Sequence, residues 1–215
     1  MTEDLSNYRK SYDKFELNES DVDNNPFKQF QKWFREIDNI FPEVEANAMT
    51  LSTIGTDGFP KGRVVLLKSI NKEGFIFYTN YNSSKGQDIE LNPNVGLSFF
   101  WDKAERQIII KGTAEKIDPE LSEAYFQSRP RESRLGAWAS NQSEVIENAQ
   151  VLVENMKSLE DRFSDSHIPR PEHWGGYIVK PIEFEFWQGR PSRLHDRIRY
   201  CKNSKDNWII ERLAP

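Results

Sequence analysis

The feature that most constrains this chain is a series of β-rich runs between Ala48 and Ile117. The runs AMTLSTI, GRVVLLKSI and GFIFYT are separated by the turn sequences TDGFP and NKEG, a pattern typical of successive antiparallel strands. The polar stretch SSKGQDIELNPN has helical character, and after it VGLSFFW and ERQIIIKGTAEKI again carry the β-branched and aromatic residues that strands favour. Five strands within about seventy residues predict a barrel or a sandwich.

Helical patterns lie on both sides of this β-rich part. Before it, Asn25 and Pro26 supply a cap and a first-turn proline, and an apolar stripe follows at helical spacing: Phe27, Phe30, Phe34, Ile37 and Phe41. After it, helices are predicted in PELSEAYFQSRP and in SEVIENAQVLVENMKSLEDRF, whose apolar face consists of Val145, Ala149, Leu152, Met156, Leu159 and Phe163. A last β portion is predicted from GGYIVKPIEFEFW, RIRYCK and NWIIERL. The expected class is mainly β with peripheral helices (α+β), an antiparallel β-barrel surrounded by helices.

Length and charge limit the organisation of the chain and its partners. With 215 residues, one domain is expected over residues 25–215, preceded by a mobile arm over residues 1–24, which contain few apolar side chains. Lysine and arginine number 29 against 34 acidic residues, and the net charge of −5 argues against nucleic acid or a membrane surface as a partner. A single cysteine and the absence of an apolar run near ~20 residues favour a soluble cytoplasmic protein.

Several common chemistries lack their sequence signals. The chain has no GxGxxG motif after a strand, no Walker-type glycine loop, and no HExxH, GxSxG or CxxC motif. Its three histidines, His167, His173 and His195, do not have the spacing of metal ligands. We therefore expect no metal site.

Two groups of basic residues in the β-rich part are candidates for binding anions. Arg63 and Lys68 bracket an apolar run in RVVLLK, and their odd separation places them on opposite faces of a strand unless a bulge intervenes. In YTNYNSSKG, hydroxyls, amides and Lys85 precede a predicted helix start, where backbone N–H groups favour a phosphate. The alternative is that these cations are solvated strand ends and an ordinary polar loop.

Two further basic groups lie in the second half of the chain. In YFQSRPRESRLGAW, Tyr125, Arg129 and Ser133 are four residues apart, so a continuous helix would place them on one side as a phosphate clamp. Pro130 interrupts that geometry, and the alternative is a capped helix end followed by a basic turn. The segment WQGRPSRLHDR concentrates Arg190, Arg193, His195 and Arg197, which predicts either an anion site or a surface loop salt-bridged through Asp196.

Together these segments resemble the pyridoxine/pyridoxamine 5′-phosphate oxidase family along almost the full chain. The matching segments are RVVLLK, FYTNYNSSKG, ERQ at 105–107, YFQSRPRESRLGAWAS, NQS at 141–143, FEFWQGRPSRLHDR and the terminal ERLAP. The resemblance implies a split β-barrel that binds flavin mononucleotide (FMN), and a homodimer with FMN at the subunit interface. It also implies that pyridoxamine or pyridoxine 5′-phosphate is oxidised to pyridoxal 5′-phosphate by hydride transfer, with dioxygen as the electron acceptor and hydrogen peroxide as the product.

Site residues follow from the same resemblance, position by position. It places the FMN phosphate on Arg63 and Lys85. The other cofactor-binding positions are Val64, Val65, Leu66, Leu67, Lys68, Tyr78, Thr79, Ser84, Gln107, Gln142, Ser143, Trp187 and Arg197. It assigns the substrate phosphate to Lys68, Tyr125, Arg129 and Ser133, and the ring side to Arg193, Leu194 and His195. Arg193 and His195 are the implied catalytic residues, and Arg9 and Tyr12 match an arm that closes over the substrate.

One position departs from the family pattern, and two other functions remain open. Ser84 stands where many members have arginine, which removes one charge from the expected FMN phosphate site, whereas Glu45 weakly matches an acidic position near the substrate. A flavin reductase or deazaflavin-dependent enzyme would share the cofactor strands without the substrate clamp. A non-catalytic protein that carries FMN or pyridoxal phosphate is the alternative from another class.

Overall fold

The computed structural model of the protein describes residues 3–164 and 166–215. Its helices are α1 (Pro26–Ile40), α2 (Ser84–Leu91), α3 (Pro119–Ser128), α4 (Arg131–Ala139) and α5 (Gln150–Phe163). Its strands are β1 (Ala48–Ile54), β2 (Pro60–Leu66), β3 (Ser69–Ile70), β4 (Phe75–Asn80), β5 (Asn94–Trp101), β6 (Arg106–Lys116), β7 (Trp174–Gln188), β8 (Asp196–Lys202) and β9 (Trp208–Arg212). Within these residues, no helix is both long enough and apolar enough to cross a membrane.

The strands form one sheet in the order β2-β1-β5-β6-β7-β4-β3, and β8 pairs with both β7 and β9. The first half of β7 runs antiparallel to β4, with Tyr177 opposite Phe77, and its second half runs antiparallel to β8, with Trp187 opposite Arg197. The predicted class, mainly β with peripheral helices, is therefore confirmed. The run AMTLSTI forms β1 with the alternating burial of a strand that has one covered face.

The chain divides into two compact units. Unit 1 comprises the residues up to Thr50 together with Gly96–Lys111 and Pro181–Pro215, and unit 2 comprises Leu51–Val95 and Gly112–Lys180. The expected division into an arm over residues 1–24 and one domain stays a prediction, and Met1 and Thr2 lie outside the described residues.

The core of unit 1 is built around the aromatic face of α1. The side chain of Asn25 caps the helix, and Pro26 occupies its first turn, as the sequence predicts. Phe30 packs edge-on against Phe99 at 5.0 Å between ring centroids, and Trp33 packs against Phe186 at 5.3 Å. Burial of each such side chain contributes about 1.5–3 kcal/mol, so this contact face accounts for the helix better than intrinsic propensity does.

The core of unit 2 joins α3, α4 and α5 to the start of β7. Its buried side chains are Phe126, Leu135, Phe163, Ile168 and Trp174, and Met156 and Leu159 of α5 pack against them. The predicted start of α5 was wrong. The helix begins at Gln150, whose N–H donates to the Asn148 side chain, and Val145 is fully exposed outside it. The preceding Ser143 has a positive φ of 79°, which a continuous helix does not allow.

Two other sequence expectations also differ from the structure. The run GRVVLLKSI is not one strand, because β2 ends at Leu66 and the N–H of Lys68 donates to the carbonyl of Ile76. Six strands rather than five therefore occur between residues 48 and 117, and the odd spacing of Arg63 and Lys68 does not place them on opposite faces of one strand.

The continuous helix that would place Tyr125, Arg129 and Ser133 on one side is interrupted at Arg129 and Pro130, as the proline in the sequence indicates. Arg129 adopts an extended conformation with a ψ of 150°, because the ring of a following proline disfavours helical geometry. Helix α3 therefore ends at Ser128, and α4 begins at Arg131.

Candidate functional site

Unit 2 contains a cavity of about 470 Å³, a volume typical of small-molecule sites. The cavity brings together these residues singled out from the sequence: Val64, Val65, Leu66, Lys68, Tyr78, Thr79, Lys85, Tyr125, Arg129, Ser133 and Gln142. They come from β2, β4, α2, α3 and α4, except that Lys68 lies between β2 and β3, Arg129 between α3 and α4, and Gln142 after α4. We call this space the unit 2 cavity.

The lining of the unit 2 cavity carries positive charge without a compensating carboxylate. Within the described part of the chain, its charged side chains are Lys68, Lys85 and Arg129, and it has no aspartate or glutamate. Nη1 of Arg129 is buried and has no hydrogen-bond partner among the described residues. A buried donor without a partner costs about 1–3 kcal/mol, so the cavity is suited to an anion.

Aromatic rings form one wall of this cavity. The rings of Tyr78 and Tyr125 stack with centroids 3.8 Å apart, Trp174 stacks on Tyr78 at 5.5 Å, and the Arg129 guanidinium lies 4.6 Å from the Trp174 ring centroid. Burial raises the pKa of Tyr78 and of Tyr125, so both phenols remain neutral hydrogen-bond donors near pH 7. The wall therefore combines flat apolar surface with O–H donors.

Lys85 is held in the first turn of α2. Its Nζ donates to Oε1 of Gln142 at 2.6 Å and to Oγ of Ser83, the N-cap residue, at 3.2 Å. Oε1 of Gln142 also accepts from Oγ1 of Thr79 at 3.2 Å. Burial, with a further contribution from nearby Arg63, lowers the pKa of Lys85 to about 8, which an anion in the cavity would reverse.

Arg63 lies outside the cavity lining but is fixed beside it. Its Nη1 donates to Oγ1 of Thr53 at 2.7 Å and to the Leu51 carbonyl at 3.1 Å, and its Nη2 lies 3.7 Å from Oδ2 of Asp88. Asp88 is buried and also accepts from the Thr53 hydroxyl at 2.7 Å. Sequence reasoning missed Asp88, although its position three residues after Lys85 places both side chains on one side of α2.

Ser84 and Ser143 contact each other directly. The Ser84 N–H donates to Oγ of Ser143 at 3.2 Å, and the two hydroxyl oxygens are 3.3 Å apart. The residue that departs from the family pattern thus connects α2 to the 141–143 segment through neutral hydroxyl groups. Asn80, Ser140 and Trp174 also line the unit 2 cavity. No local sequence signal distinguishes these three residues from structural ones.

Unit 1 contains a second cavity, of about 480 Å³, between the N-terminal arm and the segment after β7. The expected arm residues Arg9 and Tyr12 lie here with Arg193 and His195. Ser192 and Arg193 both have left-handed backbone conformations, with φ of 57° and 61°. Such strain costs on the order of 1–3 kcal/mol per residue and is concentrated at functional sites. We call this space the unit 1 cavity.

The two interpretations of the basic segment WQGRPSRLHDR apply to different residues. Arg190 pairs with Glu16 at 2.7 Å and with Asp196 at 3.4 Å, as expected of a salt-bridged loop. Arg193 has no ion pair within residues 3–164 and 166–215, and its side chain is exposed. Arg193 is therefore the cation of this segment that remains available to a ligand.

His195 is held in one orientation beside Tyr12 and Trp187. Its Nδ1 accepts the backbone N–H of Arg190 at 3.1 Å, and its ring centroid lies 4.6 Å from that of Trp187. Burial, followed by the charge of Arg193, lowers the pKa of His195, against an opposing effect of Asp196. The lowered pKa favours the neutral imidazole, and because Nδ1 accepts a hydrogen bond, the proton of the neutral ring lies on Nε2.

The remaining expected site residues lie apart from both cavity linings. In unit 1, Arg197 forms a bidentate ion pair with Glu185 at 2.8 and 3.1 Å, Leu194 is exposed, and Glu45 is exposed before β1. Gln107 lies on β6 and Trp187 lies on β7. In unit 2, Leu67 is buried in the core.

No group of three or more potential metal ligands occurs within the part of the chain that is described.

Comparison with known sequences identifies the family. A sequence model described as "Pyridoxamine 5'-phosphate oxidase" matches residues 35–162, and one described as "Pyridoxine 5'-phosphate oxidase C-terminal dimerisation region" matches residues 174–215. The chain belongs to the pyridoxamine 5′-phosphate oxidase family.

Two of its relatives carry the name "Pyridoxine/pyridoxamine 5'-phosphate oxidase". The Flavobacterium johnsoniae protein is 60% identical over 98% of this chain and 99% of its own length. The Gloeothece citriformis protein is 49% identical over the whole of both chains.

Solved structures of the family agree with this assignment. The crystal structure of PhzG from Burkholderia lata, in complex with tetrahydrophenazine-1-carboxylic acid, is 27% identical, with a TM-score of 0.87 over 96% of this chain and 100% of that one. A pyridoxamine 5′-phosphate oxidase-related, FMN-binding protein from Nostoc punctiforme, at 15% identity and a TM-score of 0.69 over 90% of this chain and 100% of that one, shares the fold. The oxidase family member described here therefore has the split-barrel fold that the sequence predicts.

The effect of the Arg193 charge on His195 yields a measurable prediction. Because a neighbouring cation disfavours the imidazolium, Arg193→Ala should raise the pKa of His195 relative to the native protein. An NMR titration of the imidazole resonances, assigned with His195→Gln, measures this change, and the exposed His167 serves as the internal reference. An unchanged or lower pKa in Arg193→Ala would show that the arginine charge does not act on this ring.

Proposed function

We propose that this chain is an FMN-dependent oxidase that converts pyridoxamine and pyridoxine 5′-phosphates into pyridoxal 5′-phosphate, with dioxygen as the electron acceptor and hydrogen peroxide as the product. The observation that carries the proposal is the unit 2 cavity, in which three cations and an aromatic wall are combined without a carboxylate. The names of the full-length relatives support the same reaction. The cytoplasmic location remains a prediction from composition.

The residues present fit FMN as the resident cofactor. Lys85, with Arg63 close behind it, is suited to the FMN phosphate, and the unpartnered Nη1 of Arg129 and the flat aromatic surface of the same cavity suit a phosphorylated ring. Neutral Ser84 leaves this phosphate with one cation fewer than the arginine of many members would give. When bound, FMN supplies the acceptor for the hydride. The protein's own task is to orient the substrate and control charge.

The substrate phosphate is proposed to bind Lys68, Tyr125, Arg129 and Ser133. The break at Pro130 turns Arg129 out of the helix, and its unpartnered Nη1 gains a phosphate oxygen as acceptor. Each charge-assisted hydrogen bond contributes roughly 1.5–3 kcal/mol, and this binding energy orients the ring without taking part in the chemistry. The phosphate is a handle remote from the reacting carbon.

The active form is proposed to be a homodimer, because residues 174–215 match the dimerisation region of the family. We further propose that FMN lies at the subunit interface and that each site takes residues from both subunits. Gln107, Gln142, Ser143, Trp187 and Arg197 would complete the cofactor site, with Val64 to Leu67 and Thr79 along the flavin. Arg9, Tyr12 and Leu194 would contact the substrate.

Arg193 and His195 have different roles in this proposal. The positive charge of Arg193 favours the unprotonated amine or the developing alkoxide of the substrate, which is the form that releases a hydride. Nδ1 of His195 already accepts a hydrogen bond, and the neutral ring carries its proton on Nε2. His195 therefore positions the substrate ring as a donor and does not remove a proton.

An absorbance experiment tests the reaction against its alternatives. The purified protein should be yellow, its flavin absorbance should bleach when pyridoxamine 5′-phosphate is added without oxygen, and readmitted oxygen should restore the colour with formation of hydrogen peroxide. A flavin reductase would bleach with a reduced nicotinamide nucleotide and not with the vitamer, and a carrier protein would not bleach with either. Those two outcomes would each refute the proposed function.

The charge of Arg193 can be tested separately from cofactor binding. We expect Arg193→Ala to lower kcat by about 100-fold or more, equivalent to about 3 kcal/mol in the barrier, while FMN stays bound. Arg35→Ala removes an exposed arginine of unit 1 and serves as the matched control, with native turnover. Native kcat in Arg193→Ala would remove Arg193 from the catalytic set.

The lowered pKa of Lys85 predicts how FMN affinity depends on pH. The free lysine loses its proton near pH 8, whereas the phosphate dianion favours the protonated form, so binding takes up a proton above that pH. The dissociation constant of FMN should therefore be about tenfold larger at pH 9 than at pH 7, measured by quenching of flavin fluorescence. Lys85→Arg stays charged and should show a constant value. A pH-independent constant in the native protein would contradict the role of Lys85.

A further inference from the structure

We propose that Glu105 is a positioning residue that holds the two walls of the unit 1 cavity together, namely the N-terminal arm and the segment that carries Arg190–His195. The proposal rests on the function given above, because Arg9, Tyr12, Arg193 and His195 are the residues it would position.

The carboxylate of Glu105 is bound by the arm. Glu105 is 6% exposed, and its Oε2 accepts the backbone N–H groups of Asp13 at 3.0 Å and Lys14 at 3.1 Å. It forms no ion pair with a basic side chain within residues 3–164 and 166–215. A buried carboxylate must be stabilised by hydrogen bonds, so these two donors are the compensation that the chain provides. Loss of the arm contact would leave the charge buried without them.

The main chain of Glu105 binds the other wall. Its carbonyl accepts the N–H of Gly189 at 2.7 Å and Nε2 of Gln188 at 3.2 Å, immediately before the Arg190–His195 segment. A Cβ atom at Gly189 would lie 2.8 Å from Cβ and Cγ of Tyr12, so the arm packs directly on the Gly189 backbone. One residue thus contacts both walls through two different groups.

The backbone of Glu105 is strained in a way that allows this double contact. Its φ of 55° and ψ of 40° are left-handed, a conformation that costs a non-glycine residue roughly 1–2 kcal/mol. Such a conformation persists only where the surroundings fix it. Here the carbonyl is bound by Gly189 and the carboxylate by the arm.

The contact with Glu105 lies at the boundary between the exposed outer part of the arm and its anchored part. Residues 3–11 are exposed, whereas Leu17 is buried and its N–H donates to Oδ2 of Asp196 at 3.1 Å. Asp13 and Lys14 are therefore the anchored residues next to Tyr12 and the exposed outer arm. An arm released at this point would no longer hold Arg9 and Tyr12 against Arg193 and His195.

The expected effect is on binding and not on the chemical step. Contacts that act equally in the ground state and the transition state raise KM when lost and leave kcat unchanged. Replacement of a residue that only supported the fold would instead lower the stability, the FMN content and kcat together.

The test compares Glu105→Gln, which preserves shape and removes the charge, with Glu147→Gln, the same change at an exposed carboxylate of unit 2. In the holoenzyme we expect Glu105→Gln to raise KM for pyridoxine 5′-phosphate about five- to tenfold, with kcat within about twofold of native. Trypsin should cleave after Lys10 and Lys14 at least about fivefold faster, because the arm is released more often. Glu147→Gln should match the native protein in all three measurements.

Two further variants separate this positioning role from general support of the fold. Glu105→Gly removes the carboxylate and relieves the left-handed strain, so a raised KM there assigns the effect to the side chain. Gly189→Ala retains Glu105 and displaces Tyr12, and it should raise KM alone, which keeps the proposal testable if Glu105→Gln does not fold.

Three results would overturn the proposal: native KM and native trypsin sensitivity in Glu105→Gln, native KM in Glu105→Gly or Gly189→Ala, or a loss of kcat and FMN without a change in KM. If the native protein itself had no oxidase activity, the proposed function would fail, and the trypsin measurements would still decide whether Glu105 holds the arm.

Discussion

The site depends on three cations that line one cavity, whose described lining residues include no carboxylate to neutralise them. Lys68, Lys85 and Arg129 line the unit 2 cavity of a chain whose net charge is −5, and Nη1 of Arg129 has no partner in the described part of the chain. Burial lowers the pKa of both Lys85 and Arg129, so the charged forms of these side chains are disfavoured before a ligand binds. The negative charge of a phosphate would stabilise the charged forms, and this explains why phosphorylated molecules are the proposed ligands.

The side chains that hold Lys85 and Arg129 in place are uncharged, so the positive charge of these two residues stays available to a ligand. Gln142 orients Lys85 through an amide oxygen, and the aromatic face of Trp174 supports Arg129. Asp88 is the exception, and its carboxylate faces Arg63 behind the cavity. In unit 1 the same division recurs, because Arg190 is neutralised by Glu16 and Asp196 whereas Arg193 is left exposed.

Much of the fold follows from local patterns, and the site follows from them only in part. The run AMTLSTI predicts β1 to the residue, and the apolar stripe of α1 contains the buried Phe30 and Ile37 but omits the buried Trp33. Both predictions rest on residues that are neighbours in the sequence. The helical start before Gln150 was predicted wrongly, because α5 begins only where the Gln150 N–H donates to the Asn148 side chain. The break that Pro130 indicates is present, since α3 ends at Ser128 and α4 begins at Arg131. The buried partners of the site, such as Asp88, Trp174 and Glu105, depend on contacts between distant segments, which single-sequence patterns do not contain. The spacing of the basic residues did not decide whether they form a site. The family motifs, which occur in the expected order along the chain, identified the candidate residues.

The most direct test of this account is the affinity of the flavin-free protein for FMN compared with riboflavin, which has the same ring system and no phosphate. If the cations at the unit 2 cavity bind the phosphate through two or more charge-assisted contacts, FMN should bind at least about a hundredfold more tightly, as measured by fluorescence quenching. Lys85→Met should remove most of that difference. Equal affinity of the native protein for FMN and riboflavin would contradict the central claim that these cations select a phosphate.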